Sequence, residues 1–150
     1  MNALATRRLN LVPMDLDALN ARIRQTGDEA YCEMLAGAQS DPEHALWYTA
    51  WGFYLKETGE LVGDACFKGP GDAPEIGYGI DEGYRGRGYA TEGVRAMIDW
   101  AFERGVKAVE AETLPDNAIS AHILKKLGFQ PTGTLGEEGP RYRLDGGKRA

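Results

Sequence analysis

Apolar and polar positions change period several times along the chain. In residues 7–14, RRLNLVPM, Leu9 and Leu11 alternate with polar neighbours, the two-residue period of a strand. DLDALNARIRQT follows, with Leu16, Leu19 and Ile23 three and four apart behind Asp15 as N-cap, which predicts a helix. A second helix is predicted over residues 28–38. SDPEHALWY, interrupted by Pro42, reads as a loop or short turn. Residues 47–56 are aromatic-rich and strand-like. ETGE turns the chain, residues 61–69 return, PGDAP turns again, and residues 75–80 form a third strand of an antiparallel meander.

In the second half, Ala90, Val94, Met97, Ile98, Ala101 and Phe102 recur at three- and four-residue intervals and mark one apolar face of a helix that Gly105 ends. VKAVEAET predicts a strand. PDNAISAHILKKLGF predicts a helix capped by Asp116 or Asn117, with Ile119, Ile123, Leu124 and Leu127 turned inward and Gly128 closing it. Phe129 leads into a strand, and a last strand lies near RYRLD. The order βααβββαβαββ is that of an α/β (α+β) protein with helices packed on a sheet. The 150 residues suit one domain, 1–150.

Net charge narrows the partners. At −6 the chain lacks the positive surface that nonspecific nucleic-acid binding needs; the charge suits a cationic substrate or serves solubility alone. No stretch approaches the roughly 20 apolar residues that span a bilayer, and the first residues hold no run suited to a signal peptide. A cytoplasmic protein is expected. Cys32 and Cys66 have no metal-like spacing and are expected as free thiols, with one disulfide left open. His44 and His122 have no partner motif, so no metal site is expected. Trp47, Tyr48, Trp51, Phe53 and Tyr54 either line an acceptor pocket or form core and a partly covered surface.

The candidate chemistry lies in RGRGYA, residues 85–90, between the third strand and the long helix. A helix start exposes unpaired N–H groups and partial positive charge. Glycine permits a tight turn and close approach, and arginine adds forked donors, so the three together suit a phosphate. The plainer alternative is a flexible turn with solvated arginines. A Walker loop fails because Tyr89 and Ala90 stand where Lys and Ser/Thr are needed. A dinucleotide fingerprint begun at Gly86 fails at Thr91.

Arg85-Gly86-Arg87-Gly88-Tyr89-Ala90 matches [QR]-x-x-G-x-[GA]. With EIGYGID before it and DNAISAHILKKLGF after the next strand, the chain resembles the GNAT superfamily of acyl-CoA N-acyltransferases, in particular the ribosomal-protein N-terminal acetyltransferase branch. The likeness is strong from residue 75 to 129 and weak from 26 to 46. It implies a mixed, mostly antiparallel sheet of six to seven strands, with a central strand pair that splays to admit a pantetheine arm. It implies an N-acetyltransferase acting on a primary amine, a protein N-terminus or a small molecule, by direct attack on acetyl-CoA in a ternary complex, with no metal. The alternative is a non-catalytic CoA sensor or interaction module. A monomer or homodimer is expected.

By the same resemblance, backbone groups of Gly79, Ile80 and Asp81 pair with the pantetheine arm, and the Ile80 N–H serves as oxyanion donor. Arg85, Gly86, Arg87, Gly88, Tyr89, Ala90 and Thr91 hold the pyrophosphate. Lys126 lies near the 3′-phosphate or on a solvated helix face, the latter being the reading for Lys125. Asn117 approaches the arm or simply caps its helix. Glu75 is the candidate base, or else a strand-end carboxylate paired with arginine. Ser120 is the candidate acid for the departing thiolate, or else a small polar residue; Tyr142 and solvent are the other proton sources. Many members of the superfamily place a tyrosine acid on this last helix, where this chain has Leu124.

Overall fold

The computed structural model describes residues 3–148. The two-residue strand β1 (Leu4–Ala5) pairs with β2 (Leu9–Pro13), whose Leu9 and Leu11 are fully buried. The Asp15 carboxylate accepts from the Ala18 N–H at 2.8 Å and starts α1 (Leu16–Thr26), which ends at left-handed Gly27. Asp28 caps α2 (Glu29–Ser40) in the same way through the Ala30 N–H.

The next strand starts later than its aromatic run predicts. Pro42–Trp47 is a 3₁₀ turn, and the Tyr48 and Thr49 N–H groups both bond back to the Ala45 carbonyl. Trp47 thereby turns onto Phe67 and Trp100, with ring centroids 5.3 and 4.6 Å away. Strand β3 (Trp51–Leu55) therefore begins at Trp51, followed by β4 (Leu61–Phe67) and β5 (Ile76–Ile80). Then come α3 (Tyr89–Glu103), β6 (Ala108–Glu112), α4 (Ala118–Lys126), β7 (Gln130–Leu135) and β8 (Pro140–Asp145). The predicted order holds, with β1 added.

Strands β1 to β5 form one antiparallel sheet in chain order; β6, β8 and β7 form a second. Eight short strands stand in place of the six to seven expected. Among the described residues a single isolated parallel bridge, Glu75 to Glu110, joins the two sheets. Beyond it β5 and β6 part, which is the predicted split.

Helices α3 and α4 cover one face of the larger sheet, where Leu11, Phe53 and Phe67 meet Val94, Met97, Trp100 and Leu124. Gly93 lets α3 approach, since a Cβ there would lie 2.4 Å from the Phe53 ring. The aromatic run of β3 thus serves the core. Ile119, expected inward, is 77% exposed, because the first turn of α4 overhangs the split and not the core.

Helices α1 and α2 cover the opposite face around Met14, Leu19, Tyr31 and Ala50. The Tyr31 hydroxyl donates to the Asp64 carboxylate on β4 at 2.5 Å, and Arg22 stands 3.5 Å from the same oxygen. Burial raises the pKa of Asp64 despite both partners. Both cysteines are free thiols; burial pushes Cys66 up to about 12, which leaves it inert, while Cys32 is exposed. Among the described residues no helix is long and apolar enough to cross a membrane.

Candidate active site

The ladder phase of β5 decides what faces the split. The Asp81 N–H donates to the Val62 carbonyl and the Lys68 N–H to the Glu75 carbonyl, on either side of the Asp64–Gly79 and Cys66–Gly77 pairs. Hydrogen-bonded pairs alternate in an antiparallel ladder. Residues 75, 77, 79 and 81 therefore spend their backbone groups on β4, and those of Tyr78 and Ile80 point into the open gap, while Ile76 lies buried beside the Glu75–Glu110 bridge. The Ile80 N–H thus faces the gap. The same phase corrects the expectation for Gly79 and Asp81, whose amides are committed to β4; Gly79 still lines the cleft, and Asp81 does not.

The gap opens into a cavity of about 630 Å³. One wall is Tyr78, Gly79 and Ile80 of β5. The mouth is Arg85, Gly86, Gly88, Tyr89, Ala90 and Thr91, and the facing wall is Asn117, Ile119, Ser120 and Ile123 of α4. Gly86 and Gly88 have φ of 76° and 82°, a region that favours glycine. Gly88 is the N-cap of α3 and no side chain caps that end. The amides of Tyr89, Ala90 and Thr91 precede the first intrahelical bond, Glu92 N–H to Gly88 carbonyl at 3.1 Å. The Arg85 Nε donates to the Ile80 carbonyl at 2.9 Å, which holds its guanidinium at the mouth.

Arg87 departs from expectation. Its guanidinium sits over the Tyr84 ring at 5.8 Å and does not line the cavity, because its backbone is held from the other side. The holder is Arg8, whose Nη1 donates to the Arg87 carbonyl at 2.9 Å while its guanidinium lies over the Tyr89 ring at 4.5 Å. Glu92 fixes Arg8, accepting from its Nε at 2.7 Å, its backbone N–H at 2.8 Å and the Thr6 hydroxyl at 2.5 Å. Burial alone would raise the Glu92 carboxyl, but these donors hold it below the usual carboxylate range. Lys126 does not line the cleft itself. It lines a neighbouring groove of about 540 Å³ with Arg8 and Arg95, and that groove meets the cleft at Gly88 and Thr91.

Glu75 stands where the two sheets join and does not line the cavity. Its Oε1 pairs with Arg141 Nη1 at 3.0 Å and its Oε2 with Lys68 Nζ at 2.8 Å, the ion-paired arrangement that was its alternative reading. Arg141 also holds Glu110 at 2.9 Å and Glu112 at 2.7 Å, so one guanidinium ties β5, β6 and β8 together at the closed end.

Asn117 caps α4, its Oδ1 accepting from the Ser120 N–H at 3.0 Å, and also lines the cleft. Ser120 faces the cleft, where its Oγ lies 2.8 Å from the Tyr78 hydroxyl across the gap. Leu124 is 0% exposed, and Tyr142, at 7%, belongs to the core and not to the cleft wall. Tyr78, Ile119 and Arg8 escaped the sequence reading. Tyr78 was accessible to it, since it stands between two glycines in phase with Ile76 and Ile80. Arg8 was not, for nothing local links it to a loop nearly eighty residues away.

Comparison with known proteins agrees with this geometry. A family model described as Acetyltransferase (GNAT) domain matches residues 8–130. The uncharacterized N-acetyltransferase p20 of Bacillus licheniformis is 34% identical over 85 residues, which is 54% of this chain and 48% of that protein. The uncharacterized N-acetyltransferase YjdG of Bacillus subtilis is 34% identical over 86 residues, 55% of this chain and 51% of that one. The chain spans about half the length of these curated relatives. Among solved structures, an acetyltransferase from Agrobacterium tumefaciens superposes with a TM-score of 0.73 at 27% identity, covering 96% of this chain and 94% of that one. RimL, a ribosomal L7/L12 α-N-protein acetyltransferase, gives 0.76 at 16% identity over 96% and 94%, a likeness of fold. The split sheet, the uncapped helix start behind RGRG and the family match together place the chain in the GNAT acetyltransferase family.

Proposed function

We propose that the chain transfers an acetyl group from acetyl-CoA to a primary amine by direct attack in a ternary complex. One observation carries this reading. The open backbone strip of Tyr78 and Ile80 runs into the uncapped start of α3 beside Arg85, within one cavity. An extended thioester that ends in a diphosphate has the shape and charge this arrangement fits.

In this reading the amides of Tyr89, Ala90 and Thr91, with Arg85, hold the pyrophosphate. Arg87 supplies long-range positive charge, and Lys126 in the adjoining groove takes the 3′-phosphate. The Ile80 N–H steadies the oxyanion that forms when the amine attacks. Glu75 takes the amine's proton, through water, once one of its ion pairs opens. The demand depends on the acceptor: a lysine-like amine, near 10.4, is neutral about once in a few thousand at pH 7, and an α-amino group, near 8, about one time in ten. That difference, and the fold shared with RimL, favour a protein N-terminus over a polyamine.

The double ion pair on Glu75 favours a second reading, a CoA-binding module without turnover. One experiment separates them. CoA affinity is measured by calorimetry, and thiol release is followed with acetyl-CoA and a panel of N-terminal peptides, amino acids and polyamines. Binding with release supports transfer, binding without release supports the module, and absence of binding removes both.

A further inference from the structure

Breaking the thioester leaves a thiolate that needs a proton, and Leu124 is sealed in the core where a helix-borne tyrosine would stand. On α4 the cleft meets Ser120, whose hydroxyl alone is a weak acid. Directly across the gap, on β5, is Tyr78. Its Oη lies 2.8 Å from the Ser120 Oγ and 3.5 Å from the Ser120 carbonyl, and both side chains line the same cavity. We propose that Tyr78 is the proton source for the leaving thiolate and acts through Ser120. The proposal rests on the transfer reading above.

Either hydroxyl can donate across this contact, and the relay uses the arrangement in which Tyr78 does. A phenol carries one proton. When Tyr78 donates it along the 2.8 Å line, the Ser120 proton is left to point into the cleft. As the C–S bond breaks, its electron pair goes to sulfur. Ser120 Oγ gives its proton to that sulfur and takes the Tyr78 proton. The resulting tyrosinate recovers a proton from solvent, so serine ends unchanged. Burial, only partly countered by the Ser120 hydrogen bond, raises the Tyr78 pKa and keeps the phenol loaded at neutral pH. The other titratable groups on the cleft wall are Tyr84, Arg85 and Tyr89, all at the mouth. Tyr78 is thus a positioning and relay residue, with Ser120 the group that meets sulfur.

The test uses the full chain with Tyr78→Phe, Ser120→Ala and the double variant. Turnover is measured against pH, and the thiol acidity of bound CoA is read from thiolate ultraviolet absorbance. Tyr78→Phe should lower kcat about 10- to 100-fold, with CoA affinity within about twofold, and should abolish the alkaline limb that tyrosine ionisation imposes. The double variant should be no slower than Ser120→Ala, because the two act as one chain. Bound CoA thiol should become less acidic by about one pH unit in Tyr78→Phe, since Ser120 without the Tyr78 donor behind it is a weaker hydrogen-bond donor to the thiolate. Unchanged kcat, additive losses, or an unaltered alkaline limb and thiol acidity would each overturn the relay. If wild-type protein acetylates no amine, the transfer reading falls and the relay with it; if it does acetylate and Tyr78→Phe turns over at the wild-type rate, the relay alone falls.

Discussion

Replacing Glu92 by glutamine tests whether the loop that opens α3 is held from β2. Glutamine keeps the shape but turns one oxygen into an N–H donor. Three donors face the carboxylate: the Thr6 hydroxyl and the Arg8 backbone N–H on Oε2, and the Arg8 Nε on Oε1. Whichever way the amide turns, at least one donor meets a donor. A hydrogen bond to a charged group contributes about 1.5–3 kcal/mol, so a loss of about 2 kcal/mol is expected, or a Tm lower by roughly 4–8 °C for a chain of this size. The pH dependence has a definite sign. The folded carboxyl is held below its unfolded value, so the stabilisation is complete above about pH 4.3 and is lost as pH falls through the lower folded value. Urea unfolding at pH 7, 5, 4 and 3 should therefore show wild type and Glu92→Gln far apart at neutral pH and converging in acid. A difference that stays constant down to pH 3, or one below about 0.5 kcal/mol at pH 7, would refute the reasoning. Because Arg8 also bonds the Arg87 carbonyl, CoA affinity should fall with stability at pH 7, by several-fold.

Arg85→Ala with Arg87→Ala should weaken CoA binding by about ten- to a hundredfold at low salt, with a smaller loss at high salt, by calorimetry at two ionic strengths; equal affinity would dismiss the cradle. Glu75→Gln should lower turnover at neutral pH and recover toward pH 9, where the amine loses its proton unaided; a pH-independent ratio to wild type would dismiss Glu75 as base. Leu124→Tyr should not add an acid: a phenol forced into a site that is 0% exposed should cost about 1–3 kcal/mol in urea unfolding without raising kcat. Gly93→Ala should destabilise by a similar amount despite alanine's better helix propensity, because its Cβ would press on the buried Phe53 ring; a raised melting temperature would count against the packing described.

The elements, their order and the anion-binding loop were legible in the chain, because each is written within a few residues. Asp15 and Asp28 cap helices whose first turns lie beside them, and Gly86 and Gly88 take left-handed angles next to the helix start they expose. Asn117 announced both its helix and its place on the cleft. The inner face of the long helix was only partly legible: Gly93 and Trp100 are buried with it, while Phe102, expected there, is half-buried.

Other features were decided only when distant segments met. Trp47 leaves its strand because Phe67 and Trp100 offer it a core, and Ile119 stays outside because the sheet is split beneath it. Arg141 claims Glu75 across 66 positions, and Tyr78 reaches Ser120 across 42. Periodicity and capping are set by the backbone's own repeat, so the sequence carries them locally. Which carboxylate is paired, and which hydroxyls share a proton, depends on distances of about 3 Å between segments that no local pattern relates, and packing alone determines those.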